Sequence, residues 1–266
     1  MPDKPILIAN RGEIAIRIAR AVAELGMRSI TLYSADDARS LHVKAADAAI
    51  PLAASGPAAY LDAAGIVALA RENGCGAIHP GYGFLSENAA FARLCAENGI
   101  AFIGPSPEIL DLFGDKTRGL RLAREAGVPT LSSTADTSIP ELTAFLDSLT
   151  PGSAMLIKAV AGGGGRGMRI VRDREDVADA VAICRQEAER AFGNGAVYAE
   201  EWLPRARHIE VQIIGDGASV THLGERDCTI QRRHQKLIEI APSPTLDPAL
   251  RERITGAALA MARAAG

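Results

Sequence analysis

Met155 to Val171 reads Met-Leu-Ile-Lys-Ala-Val-Ala-Gly-Gly-Gly-Gly-Arg-Gly-Met-Arg-Ile-Val. It places five glycines, Gly162, Gly163, Gly164, Gly165 and Gly167, between two apolar runs, with Lys158 and Arg166 adding positive charge towards the two ends. Glycine loses more backbone freedom on folding than any other residue, so such a loop is costly. In return its backbone can reach φ > 0, approach a ligand closely, and turn its N–H groups into a concave nest for an anion. The spacing predicts a strand ending at Lys158 and a second strand from Met168 to Val171. On these residues the stretch reads as a flap closing over the phosphates of a nucleotide. The alternatives are a glycine linker or a plain hairpin turn. It is not the P-loop, which needs G-x-x-x-x-G-K-[ST] leading into a helix. Nor is it the dinucleotide fingerprint, which also opens a helix.

The densest polar stretch is Glu225-Arg226-Asp227-Cys228-Thr229-Ile230-Gln231-Arg232-Arg233-His234-Gln235-Lys236, followed by the apolar Leu237-Ile238. Such a run is ordinarily a solvated charged loop. Here it follows His208 to Ile213, where polar and apolar residues alternate and His208, Glu210 and Gln212 share one face. Asp216-Gly217 is a hairpin signal, and Val220 to Glu225 reads as the returning strand. The convergence makes the stretch a second candidate site.

Several elements must position these residues. Pro5 to Ala9 reads as a buried strand, Asn10 to Glu13 as a turn, and Ile14, Ile18, Val22 and Leu25 as one face of a helix stopped by Gly26. Ser29 to Tyr33 completes a βαβ start, which implies a parallel sheet covered by helices. The first turn would then lie at the carboxyl ends of the strands, where Arg11 and Glu13 either line a site or simply serve the surface and the helix dipole. His79 to Asn88 is a sharply turned loop, with Ser86 as the expected cap of the next helix. Gly114-Asp115-Lys116 opens a helix that ends at Gly127-Val128-Pro129. From Leu131 to about Thr150 the chain becomes Ser-, Thr- and Asp-rich, read as a junction plus a surface helix. Asp247-Pro248 caps a last helix.

Composition narrows the function classes. The 266 residues suit one large domain or two ordinary ones, and 48% apolar with 23% charged residues is a globular balance. A formal net charge of −3 leaves no basic footprint for nucleic acid. No apolar run approaches a membrane span, and Met-Pro-Asp-Lys-Pro is no signal sequence. Cys75, Cys95, Cys184 and Cys228 are far apart and read as free thiols of a reducing, cytoplasmic compartment.

Taken together, the chain resembles the biotin carboxylase domain of biotin-dependent carboxylases, an ATP-grasp family. The resemblance rests on Ile8 to Ala15, His79 to Asn88, Gly114-Asp115-Lys116, Lys158 to Arg169, His208 to Gln212 and Glu225 to Lys236. It implies an α/β fold: an N-terminal doubly wound parallel sheet over 1–129, an ATP-grasp lid with the glycine loop over 130–203, and the first part of the central ATP-grasp domain over 204–266. It implies that ATP phosphorylates bicarbonate to carboxyphosphate, and that biotin on a carrier is then carboxylated, as in an acyl-CoA carboxylase. Lys116, Lys158, Gly163, Gly164, Gly165 and Met168 would bind the nucleotide, with Glu200, Glu201 and Leu203 at the adenine edge and His208, Gln231 and His234 also in contact. Lys236 and Arg233 would act on bicarbonate. The resemblance further implies a biotin carboxyl carrier, a carboxyltransferase domain or subunit, and a homodimer. Mg²⁺ or Mn²⁺ would be held by glutamates beyond Gly266, so the chain is expected to be part of a longer protein and inactive alone. Ala161 and Val160 stand where many members carry glycine and serine, and Glu201 where lysine is common. Another ATP-grasp ligase, such as a carbamoyl-phosphate synthetase, fits Gln231 to Lys236 less well. A truncated nucleotide-binding or assembly module is the non-catalytic alternative.

Overall fold

The computed structural model describes residues 4–134, 138–161, 167–232 and 235–266. Contacts divide the chain into two compact units, Met1–Asp111 and Leu112–Gly266.

The first unit contains β1 (Ile6–Ile8), α1 (Gly12–Glu24), β2 (Ser29–Tyr33), β3 (Ala48–Pro51), α2 (Ala63–Glu72), β4 (Ala77–His79), α3 (Ala89–Glu97) and β5 (Ala101–Phe102), and α4 (Pro107–Gly114) begins at its end. All five strands are parallel, in the order β3-β2-β1-β4-β5. Successive strand side chains point to opposite faces. Ile6 and Ile8 therefore pack with Ala15, Ile18, Ala19 and Val22 of α1, while Leu7 packs with Ile66, Ile78 and Phe91 on the other side. Helices thus cover both faces, the doubly wound arrangement expected. Each fully buried Leu, Ile or Phe contributes about 1.5–3 kcal/mol.

Two local expectations are corrected. Leu25 does not share the buried face of α1 but is 74% exposed, because α1 ends at Glu24 and the chain turns away through Gly26 at φ +69°. The cap of α3 is Asn88, not Ser86: its side chain accepts from Phe91 N–H at 2.9 Å.

The second unit holds α5 (Lys116–Glu125), α6 (Ile139–Ser148), β6 (Met155–Ala159), β7 (Met168–Val171), α7 (Val177–Phe192), β8 (Val197–Glu201), β9 (Ile209–Gly215), β10 (Val220–Arg232), β11 (Gln235–Ile240) and α8 (Pro248–Ala265). One antiparallel sheet has the order β7-β6-β8. Its Met155, Ile157, Val171, Val197 and Ala199 form a core with Val177, Val181 and Cys184 of α7 and Leu142 and Leu146 of α6. So α6 is not a mere surface helix; two leucines four residues apart bind it to the lid core.

A second antiparallel sheet has the order β11-β10-β9, and α8 packs against β9 and β10. The stretch Glu225 to Arg232 is strand, not loop, and the residues after it form β11. Charged side chains are tolerated there because they pair across the ladder instead of burying alone.

Candidate nucleotide site

The lid sheet separates its own core from a second face. Met155, Ile157 and Ala159 point toward the helices, so Leu156 and Lys158 point the other way. Directly paired residues share a face, and Lys158 pairs with both Met168 and Tyr198 while Leu156 pairs with Ile170 and Glu200. Lys158, Met168, Tyr198 and Glu200 therefore gather on the face away from α6 and α7.

Lys158 Nζ is ion-paired to the Glu200 carboxylate. Tyr198 OH donates to the other Glu200 oxygen at 3.4 Å and is 3% exposed. Burial, and then the charge of Glu200, push the Tyr198 phenol well above its ordinary range, so it stays a neutral donor. Sequence reasoning missed Tyr198, although it lies two residues before Glu200 and so on the same face.

The exit of the glycine loop is fixed from the helix side. Gly167 has φ +66°, and a Cβ there would meet Ala159 Cβ at 3.2 Å and Cys184 O at 3.4 Å. Glu187 on α7 accepts from Gly167 N–H at 3.2 Å and from Arg169 Nη2 at 2.6 Å. Gly163, Gly164 and Gly165 lie outside the described residues. At the end of β8, Glu201 N–H donates to Ser132 O at 3.0 Å, and Leu203 is 46% exposed. Lys116 sits in the first turn of α5, whose cap Asp115 accepts from Thr117 N–H at 2.9 Å and Arg118 N–H at 3.1 Å. A helix N-terminus carries partial positive charge and suits a phosphate.

The hairpin of β10 and β11 builds a second cluster. Gln231 and Lys236 are directly paired, and Gln231 Nε2 lies 2.9 Å from His208 Nδ1. Glu210 takes the Lys236 ammonium on one oxygen and the Arg226 guanidinium on the other, with Arg226 Nε at 2.7 Å. Burial alone would raise the Glu210 carboxyl, but Lys236 and Arg226 hold it below its ordinary value. The hydrogen bond to Glu210 in turn raises Lys236, which keeps a compact positive charge. Arg233 and His234 lie outside the described residues.

Arg11 and Glu13 are committed to contacts within the first unit. Arg11 Nη1 donates to Asp37 at 3.0 Å and its guanidinium lies 5.7 Å from the Tyr60 ring centre. Glu13 accepts from Tyr82 OH. Asn10 donates to the carbonyls of Pro80 at 2.6 Å and Tyr82 at 2.8 Å, which is how the His79 to Asn88 loop is held.

Among the described residues, Glu210, Cys228 and Glu239 form one group with metal-ligand spacing. It does not fit Mg²⁺ or Mn²⁺. Those ions want hard oxygen ligands, whereas here one donor is a buried thiol and Glu210 is already neutralised by two cations.

The family model described as biotin carboxylase, N-terminal domain, matches residues 2–110. The one described as carbamoyl-phosphate synthase L chain, ATP binding domain, matches residues 115–266. The chain belongs to the biotin carboxylase family. A biotin carboxylase of Nostoc sp. is 48% identical over 260 residues, which is 97% of this chain and 58% of that protein. A pyruvate carboxylase of Bacillus subtilis is 50% identical over 263 residues, 97% of this chain but 23% of that one. Among solved structures, a Campylobacter jejuni biotin carboxylase complexed with β-γ-ATP superposes with a TM-score of 0.94 at 43% identity, covering 99% of this chain and 59% of that one. The biotin carboxylase domain dimer of Hydrogenobacter thermophilus 2-oxoglutarate carboxylase, with MgADP, ADP and bicarbonate, gives 0.94 at 44%, covering 100% and 59%. The chain thus spans a little over half of these biotin carboxylases and about a quarter of the pyruvate carboxylases.

Proposed function

We propose that this chain carries the nucleotide- and bicarbonate-binding part of a biotin carboxylase, the first half-reaction of a biotin-dependent carboxylase. ATP phosphorylates bicarbonate to carboxyphosphate, and biotin on a carrier domain takes the carboxyl group. A carboxyltransferase then passes that group to an acceptor, for which an acyl-CoA is our reading. The observation that supports this most is the gathering of Lys158, Met168, Tyr198 and Glu200 on the face of the lid sheet away from α6 and α7.

Phosphoryl transfer is catalysed chiefly by positioning and charge neutralisation. Lys158 would leave part of its pairing with Glu200 for a nucleotide phosphate, and Tyr198 would keep Glu200 hydrogen-bonded as it does. Met168 offers an apolar, polarisable surface to the base. Lys116 would meet a phosphate at the start of α5, and Gly163 to Gly165 would close over the chain of phosphates. Glu201 and Leu203 would border the adenine. On the hairpin, His208, Gln231 and His234 would contact nucleotide, while Lys236 and Arg233 would hold bicarbonate. Because Glu210 fixes the Lys236 ammonium and keeps it charged, Lys236 would stabilise an anion without moving a proton. Mg²⁺, when bound, would neutralise developing phosphate charge. We place the enzyme in the cytoplasm, as a dimer joined to its carrier and carboxyltransferase; no described helix is long and apolar enough to cross a membrane.

The test is an ATP titration followed by the fluorescence of Trp202, the single tryptophan of the chain, at the end of β8. Saturable quenching is expected, with Lys158→Ala binding ATP at least about tenfold more weakly while still unfolding in a single cooperative transition. No saturable response by fluorescence or calorimetry, or equal affinity in the variant, would overturn the assignment.

A further inference from the structure

The second unit has a cavity that the carboxylase reading does not use. It measures about 270 Å³ and is lined by Thr117, Arg118, Arg121, Arg124 and Thr134. The three arginines recur every third residue along α5 and so form one row. Buried Gly119 and Ala123 mark the inner side of that helix. At 3.6 residues per turn, Lys116 falls with them and the arginine row points away. The cavity is therefore distinct from the phosphate role proposed for Lys116.

Like charges three residues apart on a helix repel. This row is concentrated in a chain of net charge −3, so it is not a by-product of overall basicity. The Asp115 carboxylate behind Thr117 interacts with Arg118, so the cations left to the cavity are chiefly those of Arg121 and Arg124. Arg124 is held in place by hydroxyls, donating from Nε to Thr130 Oγ1 at 3.2 Å and from Nη2 to Ser133 Oγ at 2.5 Å. Those partners orient the guanidinium without neutralising it. The walls are fixed as well: Thr134 Oγ1 accepts from Ala199 N–H at 3.0 Å, and Thr117 Oγ1 donates to Asp115 at 2.6 Å. Thr134 Oγ1 also donates to Ala199 O at 3.5 Å, so both hydroxyl protons are committed and recognition would fall to the guanidinium forks, which match phosphate geometry in pairs.

We infer that this cavity binds a small phosphate-bearing anion, held by Arg121 and Arg124 with Arg118 at the rim. Its volume admits a phosphate carrying a short organic body and is below the range of pockets that enclose larger ligands. The ligand would bridge guanidiniums that otherwise repel, and so would stabilise the start of the second unit.

The test uses the full chain with Lys158→Ala as the parent, so that phosphate at the nucleotide site contributes less. The probes are inorganic phosphate and glycerol 3-phosphate, followed by calorimetry and by thermal denaturation. One-to-one saturable binding in the millimolar range is expected for at least one probe. The double replacement Arg121→Gln and Arg124→Gln should weaken it by at least about tenfold. Tighter glycerol 3-phosphate identifies a phosphoester ligand; equal affinities identify the free anion. Phosphate should raise the melting temperature of the parent alone. If the double variant misfolds, Arg121→Gln alone carries the comparison. Absence of saturable binding to either probe, or unchanged affinity in the arginine variant, would overturn the inference and leave the carboxylase reading untouched.

Discussion

Glu210→Gln tests how the hairpin cluster is held together. Gln keeps the shape and one accepting oxygen, but it removes the charge that joins Arg226 to Lys236. The side chains are 21%, 32% and 36% exposed for Glu210, Arg226 and Lys236, which puts the network between a surface pair and a buried one. Exposed pairs contribute up to about 1 kcal/mol, while breaking a buried pair costs about 3–5 kcal/mol. Glu239, at 3.3 Å from Arg226 and 3.9 Å from Lys236, compensates part of the loss. We therefore expect about 2 kcal/mol at pH 7, or roughly 4–8 °C in the melting of a unit of this size. The pH dependence is the sharper test. The Glu210 carboxyl is held below its ordinary value of 4.5, against the opposing effect of burial. A carboxylate depressed in the folded state stabilises above its unfolded pKa, and the contribution is lost as pH falls through the folded one. The gap between wild type and variant should thus be full above about pH 5 and close well below 4.5. Thermal denaturation of both proteins across that range decides it. No gap at pH 7, or a gap of equal size at the acid end, would refute the network as an electrostatic one.

Gly167→Ala should destabilise the second unit by about 2 kcal/mol, since a left-handed backbone costs an L-residue about 1–2 kcal/mol and the new methyl would press on Ala159; urea denaturation showing under about 0.5 kcal/mol would contradict this. Asp37→Asn in the first unit weakens bonds from Arg11 at 3.0 Å, Tyr60 OH at 3.0 Å and Ser34 at 3.2 Å, with an expected loss of about 1–3 kcal/mol. Burial opposes ionisation of Asp37, but these partners hold it below its ordinary value of 3.8. That gap too should close as pH falls through the depressed value, as read by near-ultraviolet circular dichroism of Tyr60. Burial pushes the Cys95 and Cys184 thiols up to about 11. An aromatic disulfide reagent at pH 8 should leave both untouched in the native protein and titrate all four cysteines once it is unfolded.

The parts of the fold that announced themselves were those with a strong period. The apolar runs at β1 and β2 and the four-residue spacing of Ile14, Ile18 and Val22 in α1 pointed to a βαβ start, because burial leaves few ways to arrange such residues. Glu225 to Arg232 concealed a strand because its charges are satisfied sideways, Arg226 by Glu210 and Asp227 by Arg207 at 2.6 Å. A hydrophobicity pattern cannot register a pairing that lies on a neighbouring strand. Likewise, α6 looked like surface because only Leu142 and Leu146 of its ten residues are buried. Lys158 and the glycines read as phosphate chemistry from type and spacing, and that reading enters the proposed function as a proposal. Glu187 was not legible, because its role is to receive Gly167 and Arg169 from another element, and nothing in α7 itself marks it.

The alternation along β6 explains how a stable fold and the proposed nucleotide face can share five residues. Met155, Ile157 and Ala159 are buried against α6 and α7, so shortening any of them removes packing from the lid core. Leu156 and Lys158 contribute little to that core, and their partners Met168, Tyr198 and Glu200 belong to the opposite face. A one-residue slip of β6 would drive Lys158 into the helices and Ile157 into water, which is why the core itself secures the position of the lysine. Arg169 shows the same logic in reverse. It pairs with Ile157, points to the helix side, and there meets Glu187, the residue that also holds Gly167 N–H. The register that buries Ile157 therefore also sets where the chain leaves the glycine loop. Substitutions on the helix side of these strands should act on stability, and those on the other side on nucleotide affinity.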